Sequence, residues 1–462
     1  MDEPARDAPS GRLARLWRSF GVRSGEAGAV VAGFLFFFCL FASYFMLRPV
    51  RETMGIAGGV KNLQWLFTAT FVVMLAAIPL YGAVCAWLPR RRFVPWVYAF
   101  FIANLLAFAM ATRALPDNVW LARVFYVWLS VFNLFVVSVA WSLMADVFRP
   151  EQARRLFALL AAGASAGGLA GPVLGGWLVP HIGLTGLMLL SAALLAATLP
   201  GVGWLFGWRR RAGAGVGPPG QAVAGAAQDP ANPIGGGLLA GLSLLLRSRY
   251  LLGIALFVIL LATASTFLYF EQARLVAEAF PERTRQTQVF SALDAVVQAL
   301  TILVQLFFTG RMARRYGVSV LLTAVPLAVA AGFLVLALLP SFGVLAGVMI
   351  LRRVGEYALL RPGREMLFTV VDAETKYKAK NVIDTAVYRA GDAVSAWVKT
   401  AIDALSGHPA TVALAGAILA LVWAGLGWWL GRRHEGQLVS ADTRASGGAS
   451  NGPAANTSTS PH

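Results

Sequence analysis

The chain has 462 residues, of which 58% are hydrophobic and only 13% charged, with a mean hydropathy of +0.67 and a formal net charge of +17. Soluble domains are nearer half apolar and a quarter charged, so the composition excludes one and indicates an all-α, multi-pass membrane protein. The basic residues sit at the ends of apolar runs, as membrane topology demands, and this excludes nucleic acid as the partner they serve.

Residues 1–26 are polar and basic, with Arg12, Arg15, Arg18 and Arg23, and read as a cytoplasmic N-terminal segment. No cleavable signal peptide is expected, because the first apolar run is too long and many more follow. At about 20 residues per span, the N-terminal half (27–207) holds spans at 27–47, 63–88, 93–112, 119–145, 156–180 and 183–206. Residues 208–248 are rich in Gly, Ala and Pro and read as a cytoplasmic linker, with an interfacial helix over 237–247. The C-terminal half (249–434) gives spans at 249–270, 289–309, 318–339, 343–362, 381–404 and 409–430, and 435–462 reads as a disordered cytoplasmic tail. Arg90 to Arg92, Arg149 to Arg155, Arg209 to Arg211, Arg311 to Arg315, the lysines near 378 and Arg432–Arg433 all fall on one side. The positive-inside rule therefore places both termini in the cytoplasm. Arginine-heavy, Ala/Gly-rich usage points to a bacterial inner membrane. Cys39 and Cys85 lie in apolar runs, and the four histidines lack ligand spacing, so no metal or cofactor is expected. Nor is there a Gly-Lys-Ser/Thr phosphate loop or a nucleophile with its base, so an enzyme or an ATP-driven pump is not expected.

A faint repeat supports two halves. The first span ends ASYFML (Ala42 to Leu47) and the seventh ASTFLY (Ala264 to Tyr269); the second and eighth are each followed by a glycine, Gly82 and Gly310, and a basic cluster. The stretch GRMARRYG (Gly310 to Gly317) resembles the loop motif of the major facilitator superfamily, with Arg314 where that motif has an acid. Gly167, Gly171, Pro172, Gly175 and Gly176 in the fifth span are similar to that superfamily's antiporter motif; small residues let helices approach, and Pro172 supplies a bend. A generic close-packed helix would also use glycines. The resemblance implies twelve transmembrane helices in two pseudo-symmetric six-helix halves that work by alternating access.

Ionisable groups near a helix centre cost on the order of 3 kcal/mol each, so they face a partner or a cavity. In span eleven Asp384, Tyr388, Gly391, Asp392, Ser395 and Lys399 share one stripe, which reads as a water-lined face. Asp294, Gln298, Thr301 and Gln305 do the same in span eight, and Arg123, Tyr126, Ser130 and Asn133 in span four. In span ten Arg352 and Arg353 precede Glu356 at four and three residues, so Glu356 either neutralises them or leaves Asp294 to do so. Two adjacent guanidinium groups outnumber one local acid, and their planar fork suits phosphate or carboxylate. Arg48, Arg51 and Glu52 fall beyond the first span, with Glu271 and Arg274 in the matching place after the seventh; these read as an outer gate or as snorkelling surface charges.

A narrower resemblance covers about a tenth of the chain. SYFMLRPVRETM (Ser43 to Met54) is similar to the first-span signature of the ATP:ADP antiporter (Tlc-type nucleotide transporter) family, through Leu47, Arg48, Arg51, Glu52 and Thr53. Glu374, Lys376, Lys378, Lys380, Ile383, Asp384, Arg389 and Gly391 resemble its second signature, with departures at Ala379, Asn381 and Asp392. The resemblance implies nucleotide exchange with cations receiving the phosphates. The expected substrate site is then Arg352, Arg353, Glu356, Arg123, Asn133, Asp294, Gln298, Asp384, Arg389 and Asp392, with Arg361, Lys376, Lys378 and Lys380 at the cytoplasmic mouth. The expected partners are an anionic small molecule and the bilayer, and the protein is expected to be a monomer. The rival readings are proton-coupled transport of another solute through Asp294, Asp384 or Asp392, and a non-transporting assembly or sensor subunit.

Overall fold

The computed structural model describes residues 21–23, 25–87, 90–211, 238–406 and 408–449. The greater part of the expected N-terminal segment, linker residues 212–237, the tail beyond 449 and the side chains of residues 81–92, including the Gly82 to Arg92 motif, lie outside the described residues. Every long element is a helix, with no strand among the described residues. In order these are α1 (Ala27–Ala57), α2 (Leu63–Trp87), α3 (Arg90–Ala114), α4 (Val119–Val147), α5 (Pro150–Ala196), α6 (Thr198–Arg211), α7 (Leu238–Arg247) and α8 (Arg249–Ala279). They continue as α9 (Arg283–Val304), α10 (Gly310–Leu338), α11 (Phe342–Gly355), α12 (Arg361–Leu367), α13 (Ala373–Val382), α14 (Tyr388–Ser406) and α15 (Pro409–Ala449). Three π turns, Gln305–Thr309, Glu356–Leu360 and Ile383–Val387, join α9 to α10, α11 to α12 and α13 to α14.

Among the described residues, eight helical segments are long and apolar enough to cross a bilayer. Two of them, Pro150–Arg211 and Arg283–Leu338, run for 62 and 56 residues, enough for two passes each at about 20 residues per pass. Both are divided by a glycine in the left-handed region, Gly183 (φ 65°) and Gly317 (φ 76°), a conformation costing other L-residues roughly 1–2 kcal/mol. The charged stretches 342–367 and 373–406 supply the remaining long helices. This architecture accommodates the twelve expected passes.

The helices form two compact units, Met1–Gly235 with Tyr269–Ala299, and Gly236–Leu268 with Leu300–His462. By chain order Tyr269–Ala299 belongs to the second six-helix half; by contact it belongs to the first unit.

In the first unit α5 lies on α1 along Gly163, Gly167, Gly171 and Gly175, one residue per turn on a single stripe. A Cβ at Gly163, Gly167 or Gly171 would strike the carbonyl oxygen of Phe34, Phe38 or Ala42, so the two backbones touch directly. Gly168 and Gly176 occupy another face of α5 and receive Gln298 and Ser291 of α9. Pro172 is carried within α5 without ending it. Ahead of α1, Glu26 accepts the Arg23 N–H at 2.9 Å, Gln152 Nε2 at 3.0 Å and Arg155 Nη2 at 3.0 Å. Burial alone raises the Glu26 carboxyl, but the Arg23 N–H and the Arg155 and Gln152 side chains outweigh burial and hold it below its ordinary value of 4.5.

In the second unit α15 lies on α10, with Gly427 against the Leu322 carbonyl and Gly431 against Ser319. Helix α15 continues past residue 435 to Ala449, into the stretch expected to be a disordered tail, whose remainder lies outside the described residues. The continuation starts with a capping contact, since Glu435 Oε1 accepts the Ser319 N–H (3.1 Å) and hydroxyl (2.9 Å) just past the Gly317 break.

Gly167→Leu should therefore lower stability by about 3 kcal/mol or more through overpacking. Gly201→Ala, with nothing within 4 Å of its added Cβ, should be neutral or stabilise by up to about 1 kcal/mol; thermal unfolding in detergent reads both. Because the Glu26 carboxyl is depressed on folding, its contribution is complete above the ordinary glutamate value and is lost as pH falls through the depressed one. Glu26→Gln should lower the melting temperature at neutral pH and remove this contribution to the acid-side slope, as measured in a melting series from neutral to acid pH.

Candidate functional site

The membrane-embedded charges of the first unit gather at the far end of α1. Helix α1 runs past the expected span end at residue 47 to Ala57, through Pro49, and the Arg48, Arg51 and Glu52 side chains beyond that end are 21%, 20% and 12% exposed. They stay inside because each has a partner. Arg48 pairs with Asp294 of α9 at 3.8 Å. The Arg51 guanidinium lies 4.0 Å above the Tyr126 ring, donates to the Tyr126 carbonyl at 3.3 Å and pairs with Glu52 at 3.1 Å. Tyr44 and Tyr269 complete the surroundings of Arg51, and Tyr269 also faces Glu52. Near them the Thr53 hydroxyl meets that of Thr287 at 2.8 Å.

Other expected residues of this unit stand apart from that group. Arg123 donates to the Gly58 carbonyl at 2.9 Å and stacks 4.9 Å from Trp120. Gln298 lies against Gly168, and Asn133 is half-buried on α4. Glu271 pairs with Arg274, which also holds Glu278, so these charges are answered along their own helix.

In the second unit Arg352, Arg353 and Glu356 are all buried, at 6%, 6% and 8% exposure. Arg352 Nη1 donates to Glu356 Oε2 and to Ser265 Oγ of α8, both at 2.7 Å. Glu356 thus neutralises Arg352 locally, while Asp294 is taken by Arg48.

The stripe on α14 faces inward, since Asp392, Ser395 and Lys399 are buried whereas Val394, Trp397 and Val398 are exposed. Beyond residue 390 this stripe meets α8: Gly391 packs on Ala262 and Ile259, Thr266 donates to Asp392 at 3.5 Å, and Ser395 meets Thr263 at 2.8 Å. Arg389 reaches Asp392 at 3.5 Å, and Lys399 pairs with Asp403.

Asp384 lies one π turn earlier and pairs with Arg364 at 3.0 Å. Lys380 holds Glu365 at 2.5 Å, Arg361 is exposed over the Tyr357 ring at 4.7 Å, and Lys376 and Lys378 are half-buried on α13. The Glu374 side chain lies outside the described residues. Arg361, Arg364 and Lys380 thus gather around Asp384 and Glu365, with Lys376 and Lys378 on the same helix as Lys380, chemistry suited to attracting an anion.

Sequence reasoning missed Ser265, Arg364, Tyr44 and Tyr269. All four meet their partners through tertiary contacts, which no local spacing encodes.

The family model described as Major Facilitator Superfamily matches residues 29–356. No curated protein matches the sequence. Among solved structures, a bacterial homologue of the iron transporter ferroportin in an inward-facing state is similar at TM-score 0.61 and 14% identity, covering 87% of this chain and 98% of that one. A bacterial homologue of the human lysosomal transporter Spinster, inward-facing and unoccupied, gives 0.58 and 14%, covering 90% and 99%. The nucleoside transporter NupG gives 0.57 and 15%, also covering 90% and 99%. At such identities the likeness is one of fold.

Asp294→Asn should destabilise the protein by about 3 kcal/mol, the lower end for a buried pair because Arg48 is partly exposed. Arg48→Met combined with Asp294→Asn should cost less than the sum of the two single changes, which a double-mutant cycle on thermal unfolding measures.

Proposed function

This chain belongs to the major facilitator superfamily, and from that premise we propose that it is a secondary transporter that exchanges a phosphorylated organic anion, a nucleotide, across the membrane. Family membership makes it a multi-pass membrane transporter working by alternating access, not an enzyme. The choice of an anion is carried by one observation: two adjacent buried arginines, Arg352 and Arg353, with Glu356 as the acid of the same helical turn.

A guanidinium in hydrocarbon needs an anionic partner, and a phosphate replaces a carboxylate on it without leaving a bare charge. Binding an anion at Arg352 and Arg353 would neutralise the site and favour the occluded state, which is the differential binding that alternating access requires. The lysines and arginines around Arg361 would gather the anion at the cytoplasmic mouth, with both termini on that side of a bacterial inner membrane and the chain acting as a monomer. The resemblance of Ser43 to Met54 and of Glu374 to Gly391 to the ATP:ADP antiporter signatures supports a nucleotide as that anion.

Proton coupling is the second reading. Its carrier would be Asp294, Asp384 or Asp392, and each of these carboxylates already stands beside an arginine.

Counterflow in proteoliposomes tests the proposal. With unlabelled ATP inside and labelled ADP outside, uptake should require internal nucleotide and fall at least about 100-fold in Arg352→Ala/Arg353→Ala, as the loss of two charge-assisted contacts implies. Solute movement that follows a pH gradient, with no nucleotide counterflow, would sink it.

A further inference from the structure

The π turn Glu356–Leu360 follows from one residue. Pro362 has no N–H, so the Ala358 carbonyl, four residues back, loses its helical donor. The Arg361 N–H, which would serve Tyr357 in an α-helix, reaches instead to the Glu356 carbonyl five residues back. Two successive carbonyls, those of Tyr357 and Ala358, are therefore deprived of their usual α-helical donors. An unsatisfied carbonyl in hydrocarbon costs several kcal/mol.

Those two carbonyls are answered by the other π turn of the same unit. Gln305 Nε2 donates to the Tyr357 carbonyl at 3.1 Å, and Thr309 Oγ1 to the Ala358 carbonyl at 2.8 Å. Gln305 and Thr309 are the first and last residues of the π turn Gln305–Thr309. The clasp grips the turn that begins with Glu356, whose carboxylate neutralises Arg352.

We propose that Gln305 and Thr309 are positioning residues that hold Glu356 on Arg352 in the empty site, making Glu356 a built-in stand-in for the substrate anion. The assignment rests on the anion-exchange reading above. With the clasp intact, an arriving anion competes with Glu356 for Arg352, and when the anion leaves, Glu356 returns to a register fixed from the neighbouring helix. Without it, the Tyr357 and Ala358 carbonyls lose these donors, the turn that Pro362 imposes loosens, and Glu356 is no longer held in one register on Arg352. Arg352 then meets the anion with less competition, so affinity rises while release, and with it turnover, slows.

The experiment compares wild type with Gln305→Leu/Thr309→Val, Thr309→Ser and Glu356→Gln. In nanodiscs, backbone hydrogen exchange over residues 356–361 should quicken about tenfold in the double variant, the equivalent of one to two lost hydrogen bonds, and stay at the wild-type rate in Thr309→Ser, which keeps the donor. In counterflow the double variant and Glu356→Gln should both show KM lowered about fivefold with reduced kcat, and Thr309→Ser should match wild type. Unchanged exchange over 356–361, or a double variant that loses kcat at wild-type KM, overturns the proposal. If wild type shows no nucleotide counterflow, the anion reading fails by itself, and the hydrogen-exchange comparison still decides whether the clasp holds the turn.

Discussion

Hydrocarbon offers no hydrogen bonds, so every charge and every carbonyl placed inside the membrane must be answered by the protein itself. Much of the local structure follows from that constraint. Arg51 stays inside α1 because Tyr126 offers it both a ring and a carbonyl and Glu52 a carboxylate. Arg352 stays inside α11 because Glu356 and Ser265 take its protons. The missing N–H of Pro362 is felt on a different helix, where Gln305 and Thr309 supply the donors that the backbone lacks.

The same constraint explains which features the sequence revealed. Apolar runs and basic ends located the helices, because burying hydrocarbon surface in lipid needs only length and composition. A charge inside a helix is harder to tell from the end of a span. Arg48 and Arg51 look like a loop when their own segment is considered alone, and the acid that keeps Arg48 inside, Asp294, lies in a distant helix. A helical wheel likewise gives the face but not its cover. The stripe of α14 does point inward, and hydroxyls of α8 meet Asp392 and Ser395 there. The stretch after residue 434 is polar and small in composition, yet α15 runs on through it to Ala449, and Glu435 contacts Ser319 just after Gly317.

The resemblances divide along similar lines. The glycine stripe of α5 and the Gly310 to Gly317 loop serve packing and chain reversal, which every member of a fold needs, and the family match spans both. The narrower likeness to nucleotide exchangers rests on charged residues, whose role depends on what they face. Asp384 illustrates the difference. A signature gives its position only; its pairing with Arg364 of α12, just past the end of the lysine-bearing helix α13, gives a physical reason for a carboxylate there.

Stiffness and exchangeability are separately distributed. Where α5 meets α1, and α15 meets α10, glycines bring backbone against backbone, and a contact of that kind has one arrangement because no side chain is left to adjust. The ion pairs are different: a carboxylate on an arginine can be replaced by another anion. A transporter needs elements with two discrete arrangements whose balance its substrate can bias. On this reasoning the glycine seams keep each unit's helices in register, and under the proposed function the response to an anion would begin at Arg352, Glu356 and the turn that carries them.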